Sequence, residues 1–150
     1  MTATPLYLDD LHVGQTFTGG PVNVTTEAIK AFAAEYDPQP FHLDEDAARD
    51  SLFGGLAASG WHTAALTMKM LVASVPFVGG LIGTGGETVW PRPTRPGDVL
   101  TLHVEVLEII PSKSKPDRGI VRTRSETRNQ NGEPVQISTV GIVAWRRPIT

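Results

Sequence analysis

The sequence predicts an α+β domain in which an antiparallel sheet wraps around one long, central apolar helix. Two observations carry that expectation. The stretch from about Ser59 to Ser74 is apolar nearly all round at helical length, and the chain from Thr84 to Trp145 is a run of alternating segments punctuated by turn residues. Helices followed by runs of antiparallel strand place a helix on one face of a sheet. At 150 residues the chain has the size of one ordinary domain. No repeat, low-complexity tract or linker divides it, so residues 1–150 are read as a single unit.

The elements follow in order. Thr16 to Val24 reads as a short strand. From Thr25 to Tyr36, Ile29, Phe32, Ala33 and Tyr36 follow helical spacing, with Thr25 or Thr26 as cap and Glu27 in the first turn. The Asp37-Pro38 step ends this helix, and Pro38 and Pro40 predict an extended path through Phe41 and His42. Asp44 caps a short helix through Ala47 and Ala48 that closes before Gly54-Gly55. The long helix opens at Ser59-Gly60 and stops before Pro76; Trp61, Ala64, Ala65, Leu66, Met68, Met70, Leu71 and Val72 leave it little polar face, which predicts burial. Thr84 to Arg92 reads as a strand, followed by an Arg95-Pro96-Gly97-Asp98 turn. Leu100, Leu102, Val104 and Val106 alternate with Thr101, His103 and Glu105, the pattern of a strand with one buried face. A more polar strand around Val121 to Arg128 turns at Asn131-Gly132 into Val135 to Trp145. The last segments together predict a four-strand meander.

Composition narrows the function. Hydrophobic residues make up 40% and charged residues 19%, a soluble globular profile, and the net charge of -3 argues against nucleic acid as a partner. The absence of cysteine excludes a disulfide framework, a thiolate nucleophile and a Cys-type zinc site. Without HxxxH or HxH spacing, no metal site is expected. Met1 to Gly14 lacks a basic stretch followed by an apolar one, and no apolar run approaches the roughly 20 residues that span a bilayer. The expectation is a soluble, cytoplasmic protein with no membrane partner.

The most informative stretch is Tyr36-Asp37-Pro38-Gln39-Pro40-Phe41-His42, where a carboxylate and an imidazole sit five apart on a proline-stiffened segment. A histidine exchanges protons near neutral pH and a neighbouring carboxylate can hold the same water, so the pair suits general acid–base work on a small molecule. Taken alone, such a pair reads more often as a turn cap and a satisfied loop residue. The two prolines shift the balance towards a site, as does Ala58-Ser59-Gly60-Trp61. There Gly60, at a helix N-terminus, offers a backbone N–H to a developing oxyanion, although Ser59 as a plain cap explains the same residues.

The stretch from Phe32 to Leu66, with FAAEYDPQPFHLDEDAA and FGGLAASGWHTAAL, resembles the signature region of the MaoC-like dehydratases and (R)-specific enoyl-CoA hydratases. Asp37, Pro40 and His42 match the pattern Asp-x-Asn-Pro-x-His, Gly60 matches the glycine opening the central helix, and Arg95 to Asp98 resembles the turn before a family strand. The likeness runs from about Leu11 to Trp145. It implies a hot-dog fold and reversible addition of water to a trans-2-enoyl thioester. Asp37 and His42 would activate the water, the Gly60 N–H would bind the thioester oxygen, and Ser59, Gln39 and Phe41 would stand beside the substrate. The resemblance further implies no cofactor, because coenzyme A or acyl carrier protein is part of the substrate, and a homodimer, with higher assembly left open. Three departures bear on rate and substrate: Gln39 replaces the usual Asn, Tyr36 a common Gly, and Phe41 an aliphatic residue that a bulky ring would replace at the cost of acyl space.

Other residues read more simply. His62 is expected to be a packing residue, and His12 and His103 surface positions. Lys113, Lys115 and Arg118, or Arg92 and Arg95, could meet coenzyme A phosphates, but solvated loop charge is the default. Trp61, Met68 and Met70 could line an acyl tunnel, although core packing is commoner, and Trp90 and Trp145 read as strand packing residues. Two competing functions remain. A hot-dog acyl-CoA thioesterase is disfavoured because the helix from Gly60 to Val75 holds no carboxylate, and a non-catalytic acyl-thioester-binding subunit because Asp37 and His42 are both retained.

Overall fold

A computed structural model describes residues 3–149; Met1 and Thr2, at the start of the N-terminal stretch read above, lie outside the described residues. After a short 3-10 turn at Leu8–Asp10 come β1 (Thr16–Asn23), α1 (Thr26–Tyr36), α2 (Pro40–Leu43), α3 (Glu45–Arg49) and α4 (Gly60–Ser74). The chain then forms β2 (Gly83–Val89), β3 (Val99–Pro111), β4 (Arg118–Arg128) and β5 (Pro134–Trp145). The five strands form one antiparallel sheet in the order β1-β3-β4-β5-β2, with α4 packed on it, the α+β hot-dog arrangement expected.

Local chemistry sets the helix starts. Thr25 Oγ1 accepts from the Ala28 N–H at 3.1 Å, Asp44 Oδ1 from Asp46 N–H at 3.0 Å and Ser59 Oγ from Trp61 N–H at 3.2 Å. Each cap satisfies an N–H that the helix itself cannot. On the sheet, Leu100, Leu102, Val104 and Val106 of β3 point inward and share a core with Ile29 of α1, Met70 and Leu71 of α4, and Val121 of β4. Gly19 lets α4 cross β1 closely: a Cβ there would lie 2.7 Å from Ser74 Oγ and 3.2 Å from the Met70 carbonyl.

Four expectations need correction. The last strands are not a four-strand meander: β3, β4 and β5 form one of three strands, and β2 pairs with β5 at the sheet edge opposite β1. Alternation along a strand identifies its faces and carries no information about its neighbour. β2 also ends at Val89, short of Arg92, since the Pro91 and Pro93 that follow cannot donate to a ladder. Phe41 and His42 do not continue an extended path; Pro40 opens the helical turn α2 instead. Proline restricts the residue before it, and Asp37 (φ -154°, ψ 67°) and Gln39 (φ -98°, ψ 146°) are indeed non-helical. At the first helical position, its missing N–H is no loss.

The fourth concerns α4, which is not buried all round. Trp61, Met68 and Val72 are 66%, 51% and 61% exposed and, with Ala65, form a stripe at helical spacing on the face turned away from the sheet. Of the three tunnel candidates only Met70 is core.

Leu102 has no exposed surface. Leu102→Ala is expected to lower unfolding stability by about 2–5 kcal/mol, read from the urea midpoint. A loss below about 1 kcal/mol would mean that β3 does not face the sealed core described here.

Candidate active site

Asp37 ends α1, its N–H bonded to the Ala33 carbonyl, and His42 projects from α2. The two side chains meet with His42 Nε2 3.3 Å from Asp37 Oδ2, and the imidazole is almost fully buried. On its other side His42 Nδ1 lies 2.6 Å from the Ala57 carbonyl oxygen. A carbonyl only accepts, so Nδ1 carries the proton, and in the neutral ring Nε2 turns a lone pair towards Asp37. Two acceptors then face each other, and one water, with two protons to donate, satisfies both.

Asp37 is held by two further bonds. Gln39 Nε2 donates to Oδ1 at 2.5 Å, and Ser59 Oγ donates to Oδ2 at 2.7 Å. Burial pushes the Asp37 carboxyl up, but these two hydrogen bonds, joined by the charge of His42 whenever its ring is protonated, outweigh it and hold the group below the ordinary carboxylate value. Asp37 is therefore ionised at neutral pH. At the Gln39 departure the side-chain amide thus donates to the carboxylate itself. Ser59 is fully buried, and its hydroxyl both caps α4 and orients Asp37.

Gly60 follows. The Ser59 carbonyl accepts from His62 and Thr63, and no hydrogen bond among the described residues engages the Gly60 N–H. A Cβ on Gly60 would come within 2.9–3.1 Å of the Trp90 indole, so glycine also lets Trp90 lie over the helix start. Trp90 is anchored by its Nε1–H, which donates to Gln136 Oε1 at 2.9 Å.

These groups border one cavity of about 440 Å³. Asp37, Gln39, Phe41 and His42 form one wall, Gly60, Trp61 and Thr63 a second, and Trp90 to Thr94 a third. Phe41 packs on Phe53 at 5.1 Å and edge-on to His42 at 4.6 Å between ring centroids, so it takes up space beside the dyad. All six predicted site residues thus lie in or against one place.

Other candidates go elsewhere. His62 is buried and stacks on Phe32 at 4.8 Å, away from the cavity lining; burial pushes its pKa down, and its Nδ1 finds no partner among the described residues. Arg95 is not a free phosphate ligand, because its guanidinium donates to the carbonyls of Phe53, Gly55 and Leu56. Arg92 stays at the cavity rim, paired with Glu133 at 3.0 Å. Lys113, Lys115 and Arg118 follow the far end of β3 from Thr94, and Arg118 pairs with Asp117 and covers Trp145. Trp90 is 40% exposed at the cavity, not buried strand packing. No group of three or more metal-ligating side chains forms among the described residues.

The sequence reading missed Ala57, Thr63, Phe53 and Thr94, and it took Trp90 for a packing residue. Ala57 acts through a backbone carbonyl and gives no side-chain signal. Thr63 could have been found, since it lies one helical turn from Ser59 and Gly60.

A family profile described as "FAS1-like, dehydratase domain region" matches residues 11–138. The chain belongs to this dehydratase family. A crystal structure of the MaoC-like dehydratase from Rhodospirillum rubrum is 60% identical, covering 96% of this chain and 99% of that one, with a TM-score of 0.94. The unliganded R-hydratase PhaJ1 from Pseudomonas aeruginosa is 27% identical, covering 97% and 96%, with a TM-score of 0.76. The 3-hydroxybutyryl-CoA dehydratase of Methylorubrum extorquens is 31% identical over 73% of this chain and 69% of its own. This MaoC-like dehydratase relationship matches the motif and the fold, and it supports a hydro-lyase.

Because the folded pKa of Asp37 is depressed, its ionised form contributes stability above the unfolded carboxyl value of about 3.9. That contribution is lost as pH falls through the folded value. Ser59→Ala removes one lowering bond, so the Asp37 carboxyl is expected to titrate at higher pH by carbon-13 NMR. An unchanged titration would mean that the serine does not hold the carboxylate.

Proposed function

We propose that the protein reversibly hydrates a trans-2-enoyl thioester, with coenzyme A as the thiol, to a 3-hydroxyacyl thioester. The observation that carries this is the pairing of a proton-accepting His42 Nε2 with an ionised Asp37 beside an unengaged Gly60 N–H. A water held by both groups gives a proton to the dyad as its oxygen attacks the β-carbon. The electron pair of the double bond moves towards the thioester, where the Gly60 N–H, at the positive end of α4, stabilises the enolate oxygen. The dyad returns the proton to the α-carbon on the same face. One water is added and no electrons are exchanged.

The thioester itself acidifies the α-position, so this chemistry asks for no metal or organic cofactor. The relatives named as an R-hydratase and a 3-hydroxybutyryl-CoA dehydratase support the direction of this reading. Among the described residues, no helix is long and apolar enough to cross a membrane, and a cytoplasmic setting is part of the same proposal.

The proposal includes a homodimer. The exposed stripe of Trp61, Met68 and Val72 and the edge strand β2, exposed along its length, are the surfaces that a second copy would cover, since bare apolar stripes and unpaired strand edges invite association.

Mixing the protein with crotonyl-CoA should bleach the enoyl-thioester absorbance. Asp37→Asn and His42→Ala are each expected to lower kcat about 100- to 10,000-fold while circular dichroism stays unchanged. Release of free thiol instead would replace hydration with hydrolysis. In sedimentation equilibrium the native protein should run at twice the 16.1 kDa chain mass, and Met68→Asp with Val72→Asp should shift it towards one. A native protein that runs as a single chain overturns the dimer.

A further inference from the structure

The cavity has an exposed rim and a closed floor. Trp61, Trp90 and Arg92 at the mouth are well exposed, whereas Thr63 and Thr94 are each only 2% exposed. Thr63 Oγ1 on α4 and Thr94 Oγ1 on the segment before β3 lie 2.9 Å apart, joined by a hydrogen bond across the floor. Neither side is loose. Thr94 also accepts the Ala58 N–H on its carbonyl at 2.9 Å, and Thr63 is built into the first turns of α4.

A second pair lies one helical turn further in. Thr67 Oγ1 is 2.6 Å from Thr127 Oγ1 on β4 and also donates to the Thr63 carbonyl at 2.9 Å. Around it, the buried positions of β4 and β5 include Ser125, Gln136 and Ser138, where β3 presents leucine and valine. Beyond the Thr63–Thr94 wall the interior is packed and hydrogen-bonded, and it gives a hydrocarbon chain nothing in exchange for breaking these bonds, whereas an apolar channel raises affinity about fourfold for each methylene.

Resting on the hydratase reading, we propose that the Thr63–Thr94 pair, backed by Thr67–Thr127, is a chain-length stop, and that the site takes short enoyl groups of crotonyl size. The threonines act by closing the acyl end of the cavity. Asp37 and His42 do the chemistry at any chain length that fits.

The test separates binding from turnover by using saturated thioesters, which cannot be hydrated. Butyryl-, hexanoyl- and octanoyl-CoA are titrated by calorimetry into the native protein and into Thr63→Ala, Thr94→Ala and Thr63→Ser, with folding checked by circular dichroism. Native affinity should stay level or fall from butyryl to octanoyl, against the gain of roughly 250-fold that four methylenes bring in an apolar channel. The alanine variants should raise octanoyl over butyryl affinity by about tenfold or more, the equivalent of two methylenes admitted. Thr63→Ser, which keeps the hydroxyl, should stay close to native.

Native protein that binds octanoyl-CoA more than about tenfold tighter than butyryl-CoA overturns the stop. So do folded alanine variants with an unchanged ratio, and so does the failure of every thioester to bind. If the alanine variants do not fold, the native series decides alone. Short-chain selectivity in binding without hydration of crotonyl-CoA would sustain the stop and remove the hydratase reading.

Discussion

The hydrogen bond between His42 Nδ1 and the Ala57 carbonyl is the constraint on which the rest of the site depends. It chooses the tautomer, and with it which ring nitrogen accepts a proton. The carbonyl is itself fixed from several directions. The Ala57 N–H donates to the Phe41 carbonyl, the Ala58 N–H to that of Thr94, and Arg95 gathers the carbonyls of Phe53, Gly55 and Leu56. A guanidinium just ahead of β3 thus disciplines a loop without regular structure of its own, and that loop aims the imidazole. An arginine that donates to three backbone carbonyls belongs to the scaffold, even next in sequence to a cavity residue, Thr94.

Asp37 shows a second competition. Burial at the end of α1 favours the neutral acid, whereas Gln39 and Ser59 favour the anion, and so does His42 when its ring carries a charge. The neighbours win, which suits a carboxylate that receives hydrogen bonds from water. Each comes from a different element: Gln39 from the link into α2, His42 from α2, and Ser59 from the start of α4. The ionisation state therefore reports on the packing of all three.

Much of this was legible in the sequence, and the remainder has physical reasons for being hidden. Thr25, Asp44 and Ser59 were readable as caps because capping is a local contest between a side-chain oxygen and nearby N–H groups. The dyad was readable because five residues with two prolines leave few ways to separate Asp37 from His42. The edge position of β2 was not, since the chain crosses the sheet between β2 and β3 and pairing across that distance leaves no local trace. Nor was the carbonyl of Ala57, which any residue could supply. The apolar character of α4 was read correctly, but its meaning was split: Met70 and Leu71 face the sheet, while Trp61 and Met68 face outward.

Trp61 belongs to two surfaces at once. It is one of the residues bordering the cavity, and it starts the bare stripe along α4. In the proposed homodimer, a second copy covering that stripe would also shape the mouth of the cavity, and assembly and ligand access would then be linked. By mass action, an association that completes such a wall is undone on dilution. For such a dimer, protein concentration would become an input to the site, and two preparations with the same sequence, assayed far apart in concentration, would hold different pockets.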